Sequence, residues 1–209
     1  MGKLTEIGKK YDTDKSTYHG FTDFYEKHLY ELKHNYNDIL EIGIYNGSSL
    51  KMLKEYFEKS NIYGIDIFEK SSYDEERIKT FICDQTDIEK INNIFYNTYF
   101  NIIIDDGGHT MSQQQISFKN LIYKLNKNGF YIIEDLHTSL NFNHYEVDKN
   151  EETTLTLLKS IKDNKKFSSK FVSEDEFTKI SKIIEYVDIL EINKDNEFGK
   201  SITSVIKIK

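Results

Sequence analysis

A buried strand that runs directly into a glycine turn and a helix restricts this chain more than any other feature, and residues Asp38 to Leu50, DILEIGIYNGSSL, have that form. Ile39, Leu40 and Ile42 supply the apolar run. Gly43 and Gly47 let the backbone turn tightly and approach a ligand, and Ser48 and Ser49 can cap a helix beginning at Leu50. A second strand, NIYGIDIF, brings Asp66 about 23 positions beyond Gly43. At that spacing an acidic side chain in a βαβ unit reaches the hydroxyl pair of a ribose. The unit reads as a cradle for a nucleoside.

The glycine spacing narrows the ligand. A dinucleotide site needs G-x-G-x-x-G so that a helix N-terminus can meet a pyrophosphate, whereas this turn is E-x-G-x-x-x-G. Glu41 at its head would repel a pyrophosphate and suits a cationic ligand. In this it resembles motif I of the class I S-adenosylmethionine (SAM) dependent methyltransferases, whose ligand carries an ammonium and a sulfonium and no phosphate. An ordinary strand-turn-helix with packing glycines is the alternative.

At 209 residues the chain fits one domain with one substantial core, spanning residues 1–209 with residues 1–35 as an N-terminal lid or leader. A net charge of -7, with Arg77 the only arginine, argues against a groove for nucleic acid, which needs phosphate-neutralising side chains. Cys83, the single cysteine, falls in the apolar run TFICD and is expected to pack, in keeping with a reducing cytoplasm. No stretch approaches the roughly 18 apolar residues of a membrane span, so a cytoplasmic protein with no membrane partner is expected.

In chain order, the N-terminal segment KYDTDKSTYHGFTDFYEKHLYELKH has turn-forming residues up to Gly20 and then a helix from Thr22. Its aromatics, Tyr11, Tyr18, His19, Phe21 and Phe24, either pin it to the domain or close over a ligand. After the cradle come a strand from Ile78 to Cys83 ending in Asp84 and a helix capped by Thr86 or Asp87. The strand FNIIIDDGGHT, the helix SQQQISFKNLIYKLN, a turn KNG and the strand FYIIEDLHTSL follow. Helices from Glu151 to about Lys162 and from Glu174 to Lys179 precede two strands, Ile184 to Ile192 and Ser201 to Ile208, whose polar connection suggests an antiparallel hairpin. The pattern predicts an α/β, doubly wound, seven-stranded, mostly parallel sheet. In such a sheet Asp66 and Asp84 face the same crevice as Gly43 and Gly47, with Asp84 placed to meet an adenine edge or else capping its loop.

Two strand ends carry paired acids, Asp105 with Asp106 and Glu134 with Asp135, with no lysine or arginine at either. Four carboxylates on one rim cannot all stay ionised without a cation or raised pKa values, and a divalent metal is the simplest solution. Hard oxygen donors without cysteine favour Mg²⁺, Mn²⁺ or Ca²⁺. Not all four need bind, because alternate residues at a strand end face opposite sides; the alternative is that they cap helices and solvate loops. His109, past two glycines, is a candidate general base, and His137 in EDLHT is its rival. His19, His28, His34 and His144 are read as surface or packing residues, His19 with reservation.

Together, the N-terminal segment KYDTDKSTYHGFTDFYEKHL, the turn LEIGIYNGSSL, and the segments YGIDIF, FICDQTD, IIIDDGGH and YIIEDLHT resemble the metal-dependent sugar O-methyltransferases, over residues from about Leu4 to Leu140. Asp12 stands where glycine is usual. The resemblance implies Mg²⁺ bound by Asp106, Glu134 and Asp135 with His109 as base. It implies SAM held by Glu41, Gly43, Gly47, Ser48, Asp66 and Asp84, with Tyr11 and Thr13 closing over the site and Asp105 behind it, orienting a backbone or ligand group. The implied substrate is a small molecule bearing a sugar hydroxyl, with a vicinal diol suited to chelation, and a homo-oligomer is compatible with the family. Two alternatives stand beside this reading: methyl transfer to a nitrogen or to a non-sugar or phosphorylated small molecule, and a SAM-binding module without catalysis.

Overall fold

Seven strands form a single sheet in the order β3-β2-β1-β4-β5-β7-β6. The computed structural model of the chain describes residues 2–140, 145–147, 152–195 and 199–209; His144 and Glu151 lie outside them, and the helix expected from Glu151 begins at Thr154, where the Thr153 hydroxyl caps it. The strands are β1 (Asp38–Ile42), β2 (Asn61–Asp66), β3 (Ile78–Ile82), β4 (Phe100–Asp105), β5 (Leu125–Ile133), β6 (Ile184–Asn193) and β7 (Lys200–Ile208). The helices are α1 (Lys3–Lys10), α2 (Asp14–Thr17), α3 (Thr22–Leu29), α4 (Ser48–Tyr56), α5 (Ile88–Ile94), α6 (Met111–Leu121), α7 (Thr154–Lys162) and α8 (Glu174–Ile183). Strands β1 to β5 pair in parallel, and β7 runs antiparallel to both β5 and β6.

The strands are apolar on both faces because helices cover both sides. Alternation assigns their side chains: Ile39, Ile62, Ile102, Ile104 and Ile132 pack with α1, α3 and α4, through Leu4, Ile7, Phe21, Tyr25, Leu50 and Leu53. Leu40, Ile42, Ile65, Ile103 and Ile133 pack on the other side with Phe118, Leu121, Leu158 and Phe177 of α6, α7 and α8. This alternation decides where the acids at the strand ends point.

Three elements differ from their sequence expectation. The N-terminal segment is helical almost throughout, because Leu4 and Ile7 of α1 form a buried stripe against α3 and α4 that outweighs the polar residues between them. Helix α4 begins at Ser48, not Leu50. Gly47 occupies its N-cap with φ 73°, so neither serine caps it, and the Ser48 N–H instead donates to Asn46 Oδ1 at 3.1 Å. The KNG turn lies inside β5: Leu125 pairs with Phe100 and Phe130 with Ile102, and the extra residues bulge out around Asn128, at φ 61°. The antiparallel pairing of β6 with β7 and the parallel pairing of β1, β2 and β3 follow the sequence pattern.

Candidate active site

The carboxyl ends of β1, β2, β4 and β5 meet the N-terminal segment around a cleft of about 460 Å³, lined among others by Thr13, Lys15, Glu41, Gly43, Asp66, Asp106, His109 and Asp135. A volume in this range takes a ligand of ordinary cofactor size. Its floor is an extension of the sheet ladder: the Gly43 N–H donates to Ile65 O at 2.9 Å, Asp106 N–H to Ile42 O at 3.0 Å and Glu134 N–H to Asp105 O at 2.9 Å. Gly43 has φ 85°, and a Cβ there would lie 2.1 Å from Asp106 O, so the turn of β1 and the turn of β4 touch through this glycine.

The Asp66 carboxylate is fixed from both sides, by Ile44 N–H on Oδ2 and Phe68 N–H on Oδ1, each at 2.9 Å. Each oxygen retains a second lone pair for a ligand hydroxyl. A slot of about 140 Å³ adjoins, formed by Ile42, Ile65, Ile67 and Cys83 with Asp84 and Gln85 at its polar side. Asp84 is exposed and accepts from Thr86 N–H and Oγ1, both at 2.7 Å. Gly47 does not line either cavity; it packs under the ring of Tyr73. Ser48 is also absent from both linings, where its neighbour Ser49 takes part. Tyr11 points elsewhere too, donating its hydroxyl to Glu55 Oε2 at 2.7 Å and so tying α1 to α4.

The acidic rim divides by strand parity. Asp105 faces α6, where Gln85 Nε2 donates to its Oδ1 at 3.1 Å and the Tyr131 hydroxyl to its Oδ2 at 3.4 Å. Burial pushes its carboxyl up to about 7 despite these donors and the Gly107 N–H. Glu41, Asp106 and Glu134 face the N-terminal segment and converge on one ammonium. Lys15 of α2, 1 % exposed, forms ion pairs with Asp106, with Glu134 Oε1 at 3.1 Å and with Glu41 Oε1 at 3.5 Å. Neither strand end carries a lysine or arginine, as the sequence shows, but a side-chain cation reaches the rim from 91 residues upstream of Asp106.

Burial alone would push the Lys15 ammonium down, but the three carboxylates outweigh it and hold it well above its ordinary value. One cation among three acids leaves a deficit. Burial accordingly lifts Glu41 to about 7 against the pull of Lys15, and lifts Glu134 well above the carboxylate range, with Asp106 adding to the rise.

Asp135 leaves the strand alternation through a left-handed backbone, φ 52°, and turns toward His109, itself at φ 58°. His109 Nε2 lies 3.4 Å from Asp135 Oδ2. The Thr138 hydroxyl donates to His109 O at 3.0 Å or to Asp135 O at 2.9 Å, bracing the two turns against each other. Asp106, His109 and Asp135 each offer a ligand atom within 4.8 Å of the others. His137 sits behind Asp135, with Nδ1 3.6 Å from Oδ1, and does not line the cleft. His19 also reaches this acid, 3.9 Å from Oδ1, while sharing a 2.9 Å hydrogen bond with Ser201. Lys15, His19, Gln85 and Thr138 are the residues that sequence reasoning passed over; only His19 carried a signal, as one of the aromatics of the N-terminal segment.

A doubly wound sheet with β7 inserted antiparallel beside β5, and an acidic glycine turn after β1, is the fold of the class I SAM-dependent methyltransferases, and this chain has that fold. No protein-family model matches the chain. Its homologues are sugar O-methyltransferases. A tetracenomycin-C 3'-O-methyltransferase of Streptomyces olivaceus, whose substrate carries a 2-methoxy-α-L-rhamnosyl group, is 37% identical over 147 residues, 66% of this chain and 38% of that protein. Demethylmacrocin O-methyltransferase of Streptomyces fradiae is 36% identical over 174 residues, 77% of this chain and 44% of that protein. The structure of MycE methyltransferase from the mycinamycin biosynthetic pathway, in complex with Mg, SAH and mycinamycin VI, superposes with a TM-score of 0.78 and 29% identity over all of this chain and 55% of that one. The chain thus spans about half the length of the proteins it matches.

Proposed function

We propose that this chain carries a SAM- and Mg²⁺-dependent O-methyltransferase activity directed at a sugar hydroxyl of a small molecule, with residues 1–35 closing the cleft over its ligands. The observation that carries the reading is the charge-deficient rim of Asp106 and Asp135, with Glu134 buried behind it, opening into the same cleft as Glu41, Gly43 and Asp66. The names of the homologues and the ligands of the MycE complex point the same way.

The donor set fits a hard divalent cation. Among the described residues Asp135 Oδ1 is buried without a hydrogen-bond partner, Glu134 Oε1 faces only the shared Lys15 ammonium, and all the oxygen donors are carboxylates. Asp106 and Asp135, with Glu134 behind them, would hold the ion. A bound divalent cation lowers the pKa of a chelated hydroxyl. His109 is the base of this proposal: its ring lines the cleft and its Nε2 lies 3.4 Å from Asp135 Oδ2, beside the groups that would hold the ion, whereas its Nδ1 is buried. On the cofactor side Asp66 would meet the ribose, the apolar slot with Asp84 the adenine, and Glu41 and Thr13 the amino-acid end near Gly43.

The test is transfer of labelled methyl from SAM to a panel of nucleotide-linked sugars and glycosides, with Mg²⁺ or with EDTA. EDTA is expected to abolish transfer, and Asp106→Asn to lose it while SAH still binds. Transfer that survives EDTA, or full activity in Asp106→Asn, would overturn the metal assignment.

A further inference from the structure

Lys15 is an unusual residue to bury. Its side chain is 1 % exposed, it belongs to a single-turn helix, and its ammonium is shared among carboxylates from three different strands. Its backbone is equally committed: Lys15 O accepts from the Phe21 N–H at 2.8 Å, and Phe21 is fully buried. The segment carrying the charge is therefore anchored, and the charge is held where Glu41 of the cofactor side and Asp106 and Glu134 of the rim come closest.

We propose that Lys15 is the built-in counter-ion of the acidic rim. Without a divalent cation, its ammonium keeps Glu41, Asp106 and Glu134 converged and the N-terminal segment docked. A cation entering the rim competes with it for Asp106 and Glu134. Removing one partner of a buried ion cluster leaves the others uncompensated, which is far costlier than never having had the cluster. Two cations that neutralise the same carboxylates are also linked, each weakening the other. This inference rests on the metal reading above only for its second half.

The experiment compares wild type, Lys15→Met, and Lys15→Met combined with Glu134→Gln, each in EDTA and with Mn²⁺ as the probe. Thermal unfolding, chymotrypsin cleavage at the aromatics of the N-terminal segment, and Mn²⁺ affinity by calorimetry are read. Lys15→Met is expected to melt lower and be cleaved faster in EDTA, to recover with saturating Mn²⁺, and to bind Mn²⁺ roughly tenfold tighter than wild type. The double variant, which removes one acid with the cation, is expected to regain stability in EDTA, and it serves if the single variant does not fold.

Equal stability of wild type and Lys15→Met in EDTA would overturn the counter-ion role. Unchanged or weaker Mn²⁺ binding in Lys15→Met would overturn the competition. If neither protein binds Mn²⁺ while Lys15→Met is still destabilised and rescued by Glu134→Gln, the metal reading and the competition fail and the counter-ion role stands.

Discussion

The two halves of the cleft are built by different physics. On the side of β1, β2 and β3, the two aspartates are positioned by neighbouring chain, Asp66 by the Ile44 and Phe68 N–H groups and Asp84 by Thr86, while Glu41, where the two sides meet, is held by Lys15. On the side of β4 and β5, the acids are positioned by charge and by contacts from distant chain, with Lys15 and His19 supplied by the N-terminal segment and Thr138 bracing two left-handed turns. Half of the non-glycine left-handed residues among the described residues, Asp12, Tyr45, His109 and Asp135, line this one cleft. Such backbone is maintained only where surrounding structure enforces it. The first side should fail through sterics, the second through electrostatics.

The largest effect expected is that of Gly43→Ala, the point where the two sides touch. The new Cβ would lie 2.1 Å from a backbone oxygen of Asp106, at a φ of 85° that alanine disfavours, so neither a rotamer change nor a side-chain shift relieves it. A loss of about 4 kcal/mol or more is expected in urea unfolding, together with loss of SAH binding. Gly47→Ala is the internal control. Its contact is the ring of Tyr73 at 2.8 Å, a side chain that can move, and it should cost less than half as much. Equal costs at the two glycines would break the claim that Gly43 is the steric junction.

The second effect is a pH dependence, and it belongs to the electrostatic side. Burial holds the Asp105 carboxyl at about 7 in the folded protein, above the ordinary value near 3.9 that it has when unfolded. A raised pKa means that the folded state binds the proton more tightly. The associated stability is complete below the unfolded pKa and is lost as pH rises through about 7. Asp105→Asn keeps the acceptor for Gln85 and cannot ionise. Between pH 5 and pH 8, wild type should lose on the order of 2 kcal/mol more than this variant, read from urea midpoints at the two pH values. Parallel curves would show that Asp105 is ionised throughout and that its environment is more polar than its partners imply.

The same division explains what could be read in advance. The sheet, the helices between its strands and the terminal hairpin follow from local apolar patterning, and strand parity placed Asp105 and Asp106 on opposite faces once the strand was identified. Gly43 and Asp66 were legible as residues of one crevice because their positions depend on spacing alone. Lys15 was not, because nothing within several residues of it distinguishes it from a solvated lysine; its partners are contributed by strands that follow much later in the chain. Asp135 and His109 were legible as candidates, but their meeting depends on two left-handed turns that no residue type dictates. At Asp12 there was a hint: the family's usual glycine matches the φ of 55° found there. Tyr11 misled because an aromatic side chain suits an inter-helix tether as well as a ligand, and Ser48 because a serine before an apolar run suggests a cap that Gly47 in fact provides.

The smallest expected effect sharpens the comparison from the cofactor side. Asp84 is exposed, and its visible hydrogen bonds are local, to Thr86. Asp84→Ala should therefore change stability by less than about 1 kcal/mol, since water replaces what Thr86 loses. If its carboxylate also meets an adenine at the mouth of the apolar slot, SAH affinity should fall by about tenfold, the worth of one partly solvated hydrogen bond, with no change in Mn²⁺ binding. Calorimetric titration with both ligands separates these outcomes. Unaltered SAH affinity would confine Asp84 to shaping its loop. A change in Mn²⁺ affinity would show that the two sides of the cleft communicate further than Gly43 and Lys15, the contacts that join them here.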